Sequence, residues 1–161
     1  MTHGNEIRDR LFSEHARLQG LLQQLLDAAE GANDPTLVDV WGDFESTLLT
    51  HLEAEEQYLF PRFEEEHPDE TAQLRATHQR IRELVSELGV RADLHTLRLE
   101  TVRALCDELR AHAQEEDRFF YRWADETTDP ETRERLFGHL EREAKKRLSR
   151  WRKDHRGEAA E

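Results

Sequence analysis

Three segments of this chain place an imidazole and a carboxylate four residues apart: His51-x3-Glu55, His112-x3-Glu116 and His139-x3-Glu143. On a helix, residues i and i+4 share a face, so each pair could reach one metal ion together. Imidazole suits iron, zinc and copper, while carboxylates bridge two hard or borderline cations. Spacing alone decides little, because nine histidines and 24 glutamates among 161 residues give about one such match by chance. The lone Cys106 cannot form an internal disulfide, and no CxxC pair exists. Cys106 reads as a small buried hydrophobe.

The elements that must hold these groups are helices. Apolar residues recur at 4-3-4-3 spacing, and no strand-like alternation occurs. A first helix spans about 5–29 and stops at Glu30-Gly31, with Leu11, His15, Leu18, Leu22 and Leu25 on one seam. Asp34-Pro35 opens a second, with Leu37, Trp41, Phe44, Leu48, His51, Glu55 and Tyr58 on its seam. Pro61 should kink it. A third helix runs from Asp69 to Leu88 and is closed by Gly89, with Leu74, His78, Ile81 and Val85 inward. Asp93 caps a fourth reaching about Glu126, whose seam is Val102, Leu105, Leu109, His112, Glu116, Phe119 and Trp123. Thr128-Asp129-Pro130-Glu131 starts a fifth that reaches Lys153.

Each of the first four seams carries a histidine, and two carry a glutamate. Burying an unpaired carboxylate costs several kcal/mol, so these six groups need partners. Metal coordination would satisfy them together. The spacing repeats: His15 to His78 is 63 residues, His51 to His112 is 61 and Glu55 to Glu116 is 61. Two αα-hairpins related by that repeat make an all-α, antiparallel up-down four-helix bundle over residues 1–128. Residues 129–161 would add a C-terminal fifth helix, packed on the bundle or extended. A repeat that preserves ligand types suggests a two-centre site on the pseudo-two-fold axis. Two divalent ions and two bridging glutamates leave a charge of +2, room for an oxide, hydroxide or peroxide bridge. His139/Glu143 lacks a repeat partner and reads as a decoy.

The ordered set His15, HLEAEEQYLFP from His51, His78, and HAQEEDRFF from His112 resembles the hemerythrin-like (HHE cation-binding) family across about residues 5–126. The resemblance implies a four-helix bundle around two non-haem irons (Fe2+/Fe3+) that bind dioxygen or related oxidants. It places His15 and His51 on one iron, His78 and His112 on the other, and Glu55 and Glu116 as bridges. Oxygen-carrying members have a fifth histidine, from an HxxxH pair on the third helix. Here the positions four residues either side of His78 are Leu74 and Arg82, which leaves equal ligand sets, more open positions and an argument for chemistry with peroxide or dioxygen. A sensor or reversible carrier without turnover is the alternative, and a structural bundle holding zinc or nothing is a third reading.

Tyr58, three residues after Glu55, is the candidate catalytic side chain: a phenol there could ligate iron, hydrogen-bond peroxide, or pack. Its repeat mate is Phe119. Trp41, Phe44, Phe119 and Trp123 read as core. His3, His67, His95, His139 and His155 read as solvent-facing or capping, and Glu53, Glu56 and Asp117 as a solvated acidic face.

Charge bounds the partners. The net charge is −13, yet residues 139–156 carry eight Lys/Arg against three Asp/Glu, so the rest of the chain sums to −18. That acidic balance argues against nucleic acid or an anionic membrane as the main partner. The basic helix carries Leu136, Leu140, Ala144, Leu148 and Trp151 as a stripe that could lie on the acidic bundle. A charged N-terminus and the lack of a long apolar run fit a cytoplasmic protein acting with a small oxidant and an electron donor of unknown kind.

Overall fold

The computed structural model describes residues 6–30, 37–93 and 98–154. They form seven α-helices and one π-helical turn, with no strand among the described residues. The helices are α1 (Glu6–Glu30), α2 (Leu37–Tyr58), α3 (Phe60–Glu66), α4 (Pro68–Asp93), α5 (Leu99–Glu115), α6 (Tyr121–Thr127) and α7 (Pro130–Asp154). The π turn, Glu116–Phe120, joins α5 to α6 without a break.

Two apolar clusters show the topology. One gathers the end of α1 (Leu22, Leu25), the start of α2 (Trp41, Phe44), the end of α4 (Val85, Leu88) and the start of α5 (Val102, Leu105). The other gathers the start of α1 (Ile7, Leu11), α3 beyond the end of α2 (Phe60, Phe63), the start of α4 (Leu74) and α6 after α5 (Tyr121, Trp123). Helix directions therefore alternate, as an antiparallel up-down bundle requires. α1 lies beside α2 and α5, and α4 lies beside the same two.

The connections differ from the sequence expectation in three places. Pro61 does more than kink the second helix: it has no N–H to bond the carbonyl four residues back, and the chain re-forms as the short α3 after a turn at Leu59. The third expected helix does not stop at Gly89 but continues to Asp93. Gly89 serves packing instead. A Cβ there would lie 3.3 Å from both Trp41 Nε1 and Glu45 Oε2, atoms joined across α2 by a 2.7 Å hydrogen bond that Trp41 donates. Asp93 consequently ends α4 rather than capping the next helix, and α5 starts after Arg98. Asp34-Pro35 lies outside the described residues.

Two caps fix the remaining ends. Asp129 accepts from the Thr132 N–H at 3.0 Å and the Thr132 hydroxyl at 2.7 Å, opening α7 as its sequence signals. The first turn of α1 is capped from a distance: Asp125 Oδ1 accepts from the Ile7 N–H at 2.8 Å, and Oδ2 from the Arg8 N–H at 3.2 Å. α7 packs along α2, burying Leu136 and Leu140 in the second cluster, while Leu148 and Trp151 farther along the stripe stay exposed. Arg147 donates to Thr50 Oγ1 at 3.2 Å. No helix among the described residues is long and apolar enough to cross a membrane.

Candidate metal centre

Between the two apolar clusters lies one polar layer. It falls where each helix switches clusters: His15 between Leu11 and Leu18, His51 and Glu55 between Leu48 and Leu59, His78 between Leu74 and Ile81, His112 and Glu116 between Leu109 and Phe120. Glu55, His78 and Glu116 have no exposed surface, and His51 and His112 have almost none. His15 is the most open of the six.

Donor atoms within this layer fall into two groups that share Glu116. His15, His51, Glu55 and Glu116 form one, and His78, His112 and Glu116 the other, with ligand atoms in each group all within 4.8 Å of one another. His15 Nε2 and His51 Nε2 are 3.0 Å apart, His51 Nε2 and Glu55 Oε1 2.6 Å, and His112 Nε2 and Glu116 Oε1 3.1 Å. Metal–nitrogen and metal–oxygen bonds of about 2.1 Å put neighbouring ligand atoms about 3 Å apart. The spacing therefore suits convergence on a cation.

Hydrogen bonding tests the fit. Glu55 Oε1 and Oε2, His78 Nε2, both ring nitrogens of His112, and Glu116 Oε2 are buried without a hydrogen-bond partner. Glu55 Oε1 is close to His51 Nε2, but the two are not aligned as donor and acceptor. Each buried orphan costs about 1–3 kcal/mol, so a set this dense needs another class of partner. Imidazole and carboxylate around shared positions fit borderline first-row cations, and the residues present fit a two-metal group.

Outer carboxylates orient two of the imidazoles. His51 Nδ1–H donates to Glu14 Oε2 at 3.1 Å, and His78 Nδ1–H donates to Glu56 Oε1 at 3.0 Å. Each bond turns the ring's Nε2 toward the layer's centre. Arg82 grips Glu56 with two hydrogen bonds, 2.6 and 2.8 Å. Glu56 is thus no solvated face: although burial opposes its charge, His78 and Arg82 hold its pKa at about 2. Nothing in its spacing separates it from the exposed Glu53, and Glu14, next to His15, has no signal in the sequence at all.

The electrostatics follow from crowding. Burial raises the pKa of Glu55 well above the usual carboxylate range, and the charge of Glu116 adds to this. Burial opposes ionisation of Glu116 as well, but His112 outweighs it and holds its pKa well below normal. Burial and neighbouring His51 push His15 down to about 4. His51 is held well above its ordinary value, because Glu55 and Glu14 overcome the cost of burial.

A tyrosine does reach the layer, but it is Tyr121. Its hydroxyl lies 2.9 Å from His15 Nε2 and 3.4 Å from His51 Nε2, and it donates to Glu116 Oε1 at 3.3 Å. Tyr58 is half-buried on the far side of α2, its ring 5.6 Å from that of His139 on α7. The π turn explains the exchange. The Tyr121 N–H bonds the Glu116 carbonyl five residues back, so the extra residue rotates the helix beyond it. Phe119, expected in the core, turns outward and is 45% exposed, while Phe120 and Tyr121 turn in. The two donor groups are unequal, since Glu55 joins only the first and Tyr121 reaches that same group, against the equal sets expected.

His139 is half-buried rather than solvent-facing, and His67 lies between Phe63 and Phe119 while its N–H bonds the Phe63 carbonyl at the end of α3. Asp117 accepts from Arg8 Nε at 3.0 Å. Cys106, Trp41, Phe44 and Trp123 are buried. His3, His95 and His155 lie outside the described residues.

An up-down helical bundle with His/Glu groups across its middle defines the class as a cation-binding four-helix bundle. Comparison with protein families makes this specific: the hemerythrin HHE cation binding domain matches residues 6–124, and matches again over 69–160. The chain belongs to that family. The two matches start 63 residues apart, the same interval that separates His15 from His78, so the second hairpin resembles the first. Comparisons with curated proteins and with solved structures give no significant match.

Proposed function

We propose that this chain is a non-haem di-iron protein that binds peroxide or dioxygen and turns it over, with a role in oxidative stress. In this reading His15 and His51 hold one iron with Glu55 beside them, His78 and His112 hold the other, and Glu116 is shared. The observation that carries it is the concentration of unpartnered donor atoms in one sealed layer. Bound there, two irons supply the electrons for reducing a small oxidant.

The chain's own residues do the rest. Glu14 and Glu56 keep His51 and His78 oriented. Leu18, Leu22, Leu48, Leu52 and Leu109, with His15, His51 and His112, line a cavity of about 20 Å³ beside the layer. That volume is enough for a water-sized molecule, so it suits a small oxidant such as a diatomic gas or peroxide. Its wall is mostly apolar.

Peroxide added to the iron-loaded protein tests the reading. Sustained oxygen evolution over many turnovers is the expected outcome. One stoichiometric spectral change without turnover would instead favour an iron or oxygen sensor, or a reversible carrier. Zinc alone in the layer, or no metal, would contradict both.

A further inference from the structure

We infer that Tyr121, delivered by the π turn, is a fifth protein ligand of the metal held by His15 and His51, so that the two metal positions are chemically distinct. The inference deepens the di-iron reading and rests on it.

The geometry is specific. Tyr121 Oη lies 2.9 Å from His15 Nε2, 3.3 Å from Glu116 Oε1 and 3.4 Å from His51 Nε2. Those separations match the spacing of about 3 Å between neighbouring ligands on one ion. A buried tyrosine needs a polar partner for its hydroxyl. Here the ring is fully buried and stands against Phe120 and His15, with centroids 5.7 and 5.6 Å away, and only the oxygen enters the donor group. Adding it gives the first group five donors: two imidazoles, two carboxylates and a phenol. The second group has His78, His112 and Glu116 and no comparable side chain reaching it among the described residues. Open positions therefore collect on the His78/His112 side.

The π turn is the device that makes this possible. In an uninterrupted α-helix the residue four after Glu116 would follow it on the same face, and that residue is Phe120. The extra residue moves Tyr121 into line instead, and leaves Phe120 to pack on Phe63 and Phe60 at 4.9 and 5.5 Å. Ligation replaces the phenol O–H bond with an O–iron bond and releases one proton to solvent, with no change in electron count.

The chain has only two tyrosines, Tyr58 and Tyr121, which makes the test clean. Full-length protein is loaded with iron and oxidised, and iron is counted. Visible absorption and resonance Raman spectra are then recorded for wild type, Tyr58→Phe and Tyr121→Phe. A phenolate-to-iron charge-transfer band with tyrosine ring modes should appear in wild type and persist in Tyr58→Phe, where Tyr121 is the sole tyrosine. Tyr121→Phe should keep two irons per chain and lose the band. Two irons in Tyr58→Phe without tyrosine modes would overturn the ligand assignment and leave the di-iron reading standing. Failure of wild type to hold iron would overturn both. The Tyr58→Phe result decides the matter even if Tyr121→Phe does not fold.

Discussion

Glu116 is the residue on which the layer turns, since both donor groups contain it and it accepts from Tyr121 as well. Glu116→Ala is expected to abolish binding at both positions, whereas His78→Ala should spare the His15/His51 side; metal counting on the two variants checks this. Around these residues, Glu56→Gln keeps the shape of the side chain but weakens its hold on His78 and Arg82. Loss of such an outer partner typically lowers metal affinity by about 10–100-fold. Competition with a chelator should therefore show Glu56→Gln releasing metal from the His78/His112 side first. That these six His and Glu side chains gather in one layer could be read from the chain, because burial at seam spacing leaves such groups few alternatives. Glu14 and Glu56 could not. Their role depends on which neighbouring helix they face, and a position next to a candidate ligand in the chain carries no information about that.

At the scale of elements, the seams predicted the bundle from a single repeating pattern, and the departures occur where the pattern changes register. Tyr58 and Phe119 are mates at an interval of 61 residues, but the π turn adds one residue to the second hairpin alone. The run Phe119-Phe120-Tyr121 offers an inward aromatic in either register, so its sequence could not reveal the extra residue. Gly89 and Asp93 misled for a related reason: a stop signal is local, but the close approach of Trp41 and Glu45 decided what Gly89 does. The Asp125 cap on α1 spans 118 residues and has no local signature. Replacing Asp125 by Ala removes an acceptor from two N–H groups at the first turn. The expected cost is about 1 kcal/mol, measurable as a lower denaturant midpoint with an unchanged slope.

The whole molecule is two apolar clusters separated by a layer that is costly to bury without its cations. Holding metal should therefore stabilise the fold. At free iron about 1,000-fold above its dissociation constant, one site adds roughly 4 kcal/mol. For a domain of this size that corresponds to about 10 °C, so chelation should lower the midpoint of thermal unfolding by at least that amount. α7 belongs to the same structure rather than standing apart, because Leu136 and Leu140 enter the second cluster. Leu140→Ala should cost about 2–5 kcal/mol in chemical denaturation, as for other leucines truncated in a packed core, without changing the metal count. The basic charge of this helix was legible in the sequence; its contact with α2 through Arg147 and Thr50 was not.

The most direct test of the central claim is anomalous diffraction at the iron edge from crystals of the iron-loaded protein. Two peaks about 3.5–4 Å apart are expected, one beside His15 and His51 and one beside His78 and His112, with Glu116 touching both. A single peak, a peak elsewhere, or none at the iron edge with zinc in its place would contradict the account.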